Sequence, residues 1–308
     1  MSLSKIRSLA LCGGLVLALG ASLTACTGGA PTASTSSSAT TAATTATNGN
    51  SAAGKKVTIG FSAPAADHGW MGAITKAAVA QAGKYPDVTL KVAEGTNDVN
   101  VQISQIETFI NDKVDAIVLL PFDGAAMTPV ALKAMAAGIK VINVDREFNS
   151  PFAARTTVLG DNYGMGVSAG TYMCSQLGSK KDAVIAEIAG IDNLPLTKDR
   201  SEGFAKALAD CGLKVSNRVA ADFTVQGGEQ AAANLLQAAP KIDAIWNHDD
   251  DQGVGVMQAI KNSGRKEFFM VGGAGSANVM RQIKDDTTLR KLPVIMLTTT
   301  RRVIINYN

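Results

Sequence analysis

Short apolar runs alternate with longer amphipathic stretches along most of the chain. The run at 57–61 is rich in β-branched residues and precedes a helical pattern at about 69–82. An apolar run followed by about 10–15 residues of helical periodicity is typical of a β-α unit. The further predicted strands are 88–93, 115–120, 140–144, 183–188, 213–220, 243–246 and 268–272, and the further predicted helices are 99–111, 124–137, 163–177, 198–210, 226–238 and 251–263. This order predicts an α/β fold with helices on both faces of parallel sheets.

Two segments of the chain echo each other. The string KVDAI at 113–117 is matched by KIDAI at 241–245, and each is followed by an acidic loop, a helix, a glycine and another apolar strand. We therefore predict two similar Rossmann-like lobes, at 55–158 and 159–286, joined by a hinge. Ligands of open α/β sheets bind outside the carboxyl ends of the strands, so two facing lobes form a cleft.

The N-terminal 54 residues do not follow this alternation. Lys5 and Arg7 precede a mostly apolar stretch at 8–23, an arrangement typical of a secretory signal. The string LTAC, which ends at Cys26, resembles the bacterial lipobox and implies that the Cys26 sulfur is diacylated after export. An ordinary signal peptide with an incidental cysteine is the alternative. We predict a signal peptide at 1–25 and, because Thr, Ser, Ala and Gly dominate residues 27–54, a flexible tether at 26–54.

Composition and charge narrow the class of protein. The 308 residues include 29 Lys and Arg against 26 Asp and Glu, for a formal net charge of +3, and 46% are apolar. This balance argues against a nucleic-acid binder, which would concentrate basic residues on one face. We expect no metal, because the four cysteines form no CxxC pair and the three acids at 249–251 suit a helix start better than a metal site. We expect no cofactor, because the glycines at 164–170 lack the G-x-G-x-x-G spacing of a dinucleotide site. No nucleophile-base set surrounds the two histidines, which argues against an enzyme. Cys174 and Cys211 suggest a disulfide in an exported chain, with two buried thiols as the alternative.

Polar and aromatic residues follow several predicted strands. They are Trp70, Asp145, Arg146, Phe223 and Asp249, and Arg200 lies at the start of a helix. An aromatic face can stack on the apolar face of a sugar, and neighbouring carboxylate and guanidinium groups suit vicinal hydroxyls. A core role for Trp70 and a surface ion pair between Asp145 and Arg146 are the alternatives.

The order of elements, together with four motifs, resembles the type I periplasmic sugar-binding proteins, the ribose-binding-protein family that serves ABC importers. The motifs are VINVDRE at 141–147, DRSEGF at 199–204, ADF at 221–223 and NHDDD at 247–251, and the resemblance covers about 56–285. It implies that Asp145, Arg146, Arg200 and Asp249 hydrogen-bond sugar hydroxyls while Trp70 and Phe223 sandwich the ring. Asp249 stands where ribose binders usually have an amide, and Gly273-Ala274 stands where they have Phe-Asp.

The function implied is capture of a monosaccharide or related polyol and its delivery to ABC permease subunits, without catalysis. Together with the lipobox, this places the protein on the extracytoplasmic face of the cell membrane as a lipid-anchored monomer. A sugar-sensing receptor of the same fold, coupled to a membrane signalling partner, is the alternative.

The C-terminal segment departs from the pattern. Residues 287–308 contain four basic residues, no acidic residue and no amphipathic helix. The strand, the crossing helix and the final strand of the family are expected to be absent. We predict an atypical tail produced by truncation or a frameshift, which could leave a non-functional paralogue; a genuine divergent end is the alternative.

Overall fold

The computed structural model describes residues 54–276, 279, 281, 295–297 and 301–305. All of them lie within one compact unit that spans Gly49–Asn308. The predicted signal peptide, Cys26 and all but the last residue of the predicted tether lie outside the described residues. Within those residues no helix combines the length and the apolar character needed to cross a membrane.

The first lobe is built on a sheet whose five parallel strands follow the order β2-β1-β3-β4-β5. These strands are β1 (Val57–Ser62), β2 (Val88–Val92), β3 (Ala116–Leu119), β4 (Lys140–Val144) and β5 (Thr156–Gly160). The helices of this lobe are α1 (Gly69–Ala82), α2 (Val99–Asn111), α3 (Gly124–Ala136) and a short 3-10 helix (Pro151–Ala153).

The second lobe repeats this topology, with the order β7-β6-β8-β9-β10. Its strands are β6 (Ile185–Ala189), β7 (Val215–Ala220), β8 (Ala244–Asn247), β9 (Phe269–Gly273) and β10 (Ile295–Leu297), and its helices are α4 (Asn162–Leu177), α5 (Pro195–Asp210), α6 (Val225–Ala238) and α7 (Asp250–Ser263). All five residues of β6 are buried, as expected for a strand covered by helices on both faces. The predicted α/β class and the two similar lobes are confirmed.

The repeated aspartate has the same role in both lobes. Oδ2 of Asp115 accepts a hydrogen bond from the Thr58 N–H at 2.8 Å, and Oδ2 of Asp243 accepts one from the Val184 N–H at 2.7 Å. Each carboxylate therefore ties the beginning of the third strand of its lobe to the beginning of the first strand. This shared contact gives the sequence echo a structural reason.

A disulfide joins Cys174, near the end of α4, to Cys211, which directly follows α5, with 6.0 Å between the two Cα atoms. The bridge therefore connects two helices that pack on the same face of the second sheet, where Phe204 and Trp246 belong to one buried cluster.

Two sequence-based expectations need correction. Strand β5 was not predicted, and the predicted boundary between 158 and 159 falls inside it. A short 3-10 helix precedes this strand, and α4 begins two residues after it, so the stretch lacks the clear spacing of the other units.

The C-terminal segment was expected to lack the family's strands, yet β10 pairs in parallel with β9 and β11 (Arg301–Ile305) pairs antiparallel with β5. Strands of three to five residues need no amphipathic signature, and the predicted truncation or frameshift stays a prediction.

Candidate functional site

The carboxyl ends of strands from both lobes border a cavity of about 270 Å³ that is partly open to solvent. Its lining includes all six residues predicted to contact a ligand, namely Trp70, Asp145, Arg146, Arg200, Phe223 and Asp249. His68, Met71 and Leu196 complete the lining. Both lobes therefore contribute aromatic and charged side chains to one cavity.

Trp70 and Asp145 form one wall from the first lobe. Trp70 lies in the first turn of α1 with 48% of its surface exposed, and its indole Nε1 donates to Asp145 Oδ1 at 3.3 Å. Asp145 directly follows β4 with φ of 65°, a left-handed conformation that aspartate tolerates better than most residues. Trp70 is thus not a core residue; Trp246, at 0% exposure, packs in the core of the second lobe.

Arg146 is buried with an incomplete set of partners. Its Nη1 donates to the Phe122 carbonyl at 2.8 Å, while Nε has no hydrogen-bond partner among the described residues. Phe122 lies in the loop between β3 and α3, and its N–H donates a hydrogen bond to the Gln102 side chain of α2 at 2.8 Å, which holds this loop in place. Burial lowers the pKa of Arg146, and the charges of Asp145, Asp67 and Asp123 oppose that shift. Because guanidinium does not lose its proton in proteins, Nε remains a buried donor.

Arg200 extends from α5 of the second lobe across the ring of Phe223. Its Nε donates to Asn162 Oδ1 at 2.9 Å, its Nη1 donates to the His248 carbonyl at 3.2 Å, and its guanidinium carbon lies 5.9 Å from the Phe223 ring centre. Burial lowers the pKa of Arg200, whereas the charges of Asp145 and Asp249 favour the protonated form. Asp145 belongs to the first lobe, so this attraction acts across the cleft.

Asp249 caps α7 and also lines the cavity. Its Oδ1 accepts from the N–H groups of Asp251 at 2.8 Å and Gln252 at 3.2 Å. Burial raises its pKa, the charge of Asp251 raises it further, and the bond from Gln252 together with the charge of Arg200 opposes the shift. Both of these capping bonds are accepted by Oδ1.

Hydrogen bonds join the lobes across the cleft. The Gly69 N–H donates to Asp251 Oδ2 at 2.9 Å, and Asn193 Nδ2 donates to Asp123 Oδ2 at 3.5 Å. The first connects the beginning of α1 with the beginning of α7. The lobes are therefore in contact around the cavity.

Several lining residues escaped the sequence analysis. A neighbouring cavity of about 480 Å³ shares His68, Arg146 and Phe223 with the first, and Asp67 and Asn97 also border it. Single loop residues of this kind have no characteristic spacing, although His68 stands only two residues before Trp70.

Gly273, which stands where ribose binders usually have phenylalanine, has a local steric reason. A Cβ atom at this position would lie 2.3 Å from Met165 and 2.6 Å from the His248 carbonyl oxygen.

A model described as a periplasmic binding protein domain matches residues 59–290. The chain belongs to the periplasmic binding protein family. It is 31% identical over 236 residues to the ribose import binding protein of Bacillus subtilis (strain 168), an alignment that covers 77% of this chain and 75% of that relative. It is also 31% identical over 216 residues to the galactofuranose-binding protein of Escherichia coli (strain K12), covering 68% of this chain and 67% of that protein.

A solved structure from Mycobacterium smegmatis in complex with β-D-fucofuranose superposes on this family member with a TM-score of 0.70 at 26% identity, covering 81% of this chain and 91% of that one. A galactofuranose-binding protein superposes with the same TM-score at 25% identity. The two-lobed fold expected from the sequence is thus shared with sugar-binding proteins of known structure.

Proposed function

We propose that this protein is an extracytoplasmic substrate-binding protein that captures a monosaccharide or related polyol between its lobes and delivers it to an ABC permease. The observation that carries this proposal is the set of side chains that line the cavity between the lobes. Each lobe supplies one aromatic side chain, at least one guanidinium donor and one carboxylate acceptor to it. That set matches a ligand with apolar ring faces and hydroxyl groups along its edge.

Each residue has a distinct task in this proposal. Trp70 and Phe223 present ring surfaces to the ligand, Arg146 Nε and Arg200 donate to ligand oxygens, and Asp145 and Asp249 accept from hydroxyl groups. Because these contacts come from both lobes, the ligand favours the closed arrangement over the open one. Binding and release require no bond to break, so the protein acts as a carrier rather than an enzyme.

The relatives support the same activity. Two of them are named for ribose import and galactofuranose binding, and a third is named a xylitol-binding protein, at 27% identity. These names cover a pentose, a furanose hexose and a polyol. They therefore support the class of ligand proposed here more strongly than any single sugar.

Membrane attachment through Cys26 belongs to the same proposal. A diacylated Cys26 followed by a Ser/Thr/Ala-rich segment holds the binding lobes close to the permease as a monomer. We expect the wild-type protein to fractionate with membranes and the Cys26→Ser variant to appear in the soluble exported fraction. Equal membrane association of both forms would contradict lipid anchoring.

A thermal-shift experiment tests the binding function. The full chain is heated with D-ribose, D-galactose, D-fucose or xylitol, and at least one of them is expected to raise the melting temperature by mass action. Trp70→Ala should abolish that shift. Phe152→Ala is the matched control, because Phe152 is an exposed aromatic residue of the first lobe that does not line the cavity. The proposal fails if none of the four compounds shifts the wild-type transition.

A further inference from the structure

A network of buried polar side chains lies next to the residues that the second lobe contributes to the cavity. Glu187, at 1% exposure in the middle of β6, faces His248, at 0% exposure directly after β8, with 2.9 Å between Oε1 and Nε2. Ser201 of α5 donates to the same carboxylate oxygen, and Arg218 Nε of β7 lies 3.7 Å from Oε2. None of these four residues lines either of the two cavities in the cleft. The proposed ligand contacts therefore leave this network without a role.

The network fixes the protonation state of the His248 ring. Burial raises the pKa of Glu187, but the hydrogen bonds from His248 and Ser201 lower it, and the net shift is below the ordinary value. Burial also lowers the pKa of His248 to about 4, although Glu187 opposes this shift. At neutral pH the imidazole is therefore neutral and carries its hydrogen on Nε2, facing the ionised carboxylate. Nδ1 is left as an acceptor.

The same histidine is linked to all three ligand contacts predicted in the second lobe. Its Nδ1 accepts a hydrogen bond from the Gly190 N–H at 3.4 Å. The Phe223 ring packs so closely on Gly190 that a Cβ atom there would lie 2.0 Å from the ring. The His248 carbonyl accepts from Arg200 Nη1 at 3.2 Å, and Asp249 is the next residue along the chain.

We propose that His248 is a positioning residue for the second-lobe half of the ligand site, where its Nδ1 holds the Gly190 N–H that supports the Phe223 ring. Glu187 keeps the imidazole in the tautomer that this task requires. This inference rests on the proposed function and assigns His248 no contact with the ligand. If Nδ1 cannot accept, the buried Gly190 N–H is left unpaired, and the loop beneath Phe223 has to move to find another partner.

Two substitutions separate the tasks of the two ring nitrogens. His248→Asn places an amide oxygen near the position of Nδ1 and can still accept from Gly190. His248→Gln places its amide near the position of Nε2, so it can still pair with Glu187 but leaves Gly190 without its acceptor. Leu236→Ala is the matched control, because it removes a buried apolar side chain from α6, a helix of the same lobe that contributes nothing to the network.

The full chain is first heated with D-ribose, D-galactose, D-fucose or xylitol. Isothermal titration calorimetry then measures the affinity of the wild type and each variant for the compound that raises the melting temperature most, and urea unfolding without ligand measures their stability. We expect His248→Gln to weaken binding about tenfold, which corresponds to the loss of one buried hydrogen bond. His248→Asn should recover most of that affinity, although both substitutions lower the urea midpoint. Leu236→Ala should lower the midpoint and leave the affinity unchanged.

A 15N spectrum of the histidine rings tests the tautomer without any ligand. The chain has two histidines, so His68→Gln assigns the resonances of both rings. At pH 7 we expect His248 to show a protonated Nε2 and a bare Nδ1. A hydrogen on Nδ1 would overturn the inference, because that nitrogen could then not accept from Gly190.

The binding data separate this inference from the function on which it rests. If a sugar binds but His248→Gln and His248→Asn weaken it equally, or neither weakens it, then His248 only stabilises the fold and its positioning role is rejected alone. The same holds if Leu236→Ala loses as much affinity as His248→Gln does. If none of the four compounds raises the melting temperature of the wild type, the proposed function is rejected and the positioning role with it.

Discussion

Asp251 provides the sharpest prediction, because it caps a helix that belongs to the other lobe. Helix α1 begins at Gly69 without an acidic residue in its first turn, and its N-cap residue, His68, makes no side-chain capping bond in the described structure. The Gly69 N–H instead donates to Asp251 Oδ2 at 2.9 Å, across the cleft. This bond depends on lobe contact, so Asp251 should stabilise the closed state relative to the open one without touching the ligand.

The size of the effect can be worked out from known capping energies. Removing a side-chain cap costs about 1 kcal/mol, and a carboxylate near a helix N-terminus falls in the same range. A loss of this size from the closed state alone weakens ligand affinity by about fivefold. Isothermal titration calorimetry of Asp251→Ala, with the sugar that gives the largest thermal shift, measures the change directly. Urea unfolding of the ligand-free variant controls for any loss of fold stability.

Gly69→Ala supplies the matching perturbation from the first lobe. A Cβ atom at Gly69 would lie 2.9 Å from Asp251 Oδ2, which is closer than such contacts normally occur. The substitution should therefore weaken affinity when Asp251 is present and have little effect in the Asp251→Ala background, giving a clear coupling in a double-mutant cycle. Unchanged affinity in Asp251→Ala, or equal weakening by Gly69→Ala in both backgrounds, would refute the interlobe cap.

Three further predictions concern stability. Replacing Cys174 and Cys211 with serine should cost about 2–4 kcal/mol of unfolding free energy, because the disulfide joins residues with a sequence separation of 37. Urea titration of the wild type and the variant, with and without reductant, measures this loss. Burial raises the pKa of Asp250 to about 7, so the folded state keeps a proton that the unfolded chain releases near its ordinary value of 3.8. Stability should therefore fall as the pH rises between these values, and Asp250→Asn should flatten that fall in unfolding curves at pH 5 and pH 8. Burial lowers the pKa of His248 from 6.5 to about 4, although the neighbouring Glu187 opposes this shift. The unfolded chain therefore binds a proton that the folded state does not, and stability should fall as the pH drops from 6.5 toward 4. His248→Gln should flatten that fall in unfolding curves at pH 7 and pH 5.

The sequence predicted most of the fold because the β-α units carry strong local signals. The apolar runs and helical stretches locate β1 through β4 and β6 through β9 to within a few residues, and the KVDAI/KIDAI echo marks the third strand of each lobe. Strand β5 and the strands after residue 294 were missed, since their short runs lie in segments without that alternation. Pairing partners far along the chain define such strands, and a local pattern does not contain them.

The candidate site was predictable to the extent that its residues follow strand ends. The six predicted contacts line one cavity, because parallel strands bring the residues after their carboxyl ends to one edge. Tertiary relations were not predictable: Asp67 accepts a hydrogen bond from Asn97, 30 residues downstream, and the cap on Gly69 comes from a helix of the other lobe. Both relations join segments that the sequence pattern treats as independent.

The charges of the two lobes are complementary, which explains how the cleft can contain so many ionic groups. Arg200, in the second lobe, is stabilised in its charged form by Asp145 of the first lobe, and the carboxylate of Asp251 meets the positive end of α1. Opening the cleft separates these complementary charges and returns each of them to water. Closing removes them from water again, so the lobes alone gain only a small net free energy, as is usual for buried ion pairs. In the proposed function, a sugar whose hydroxyls complete the hydrogen bonds of Arg146 Nε and Asp249 supplies what the lobes lack, and its binding sets the balance between open and closed states.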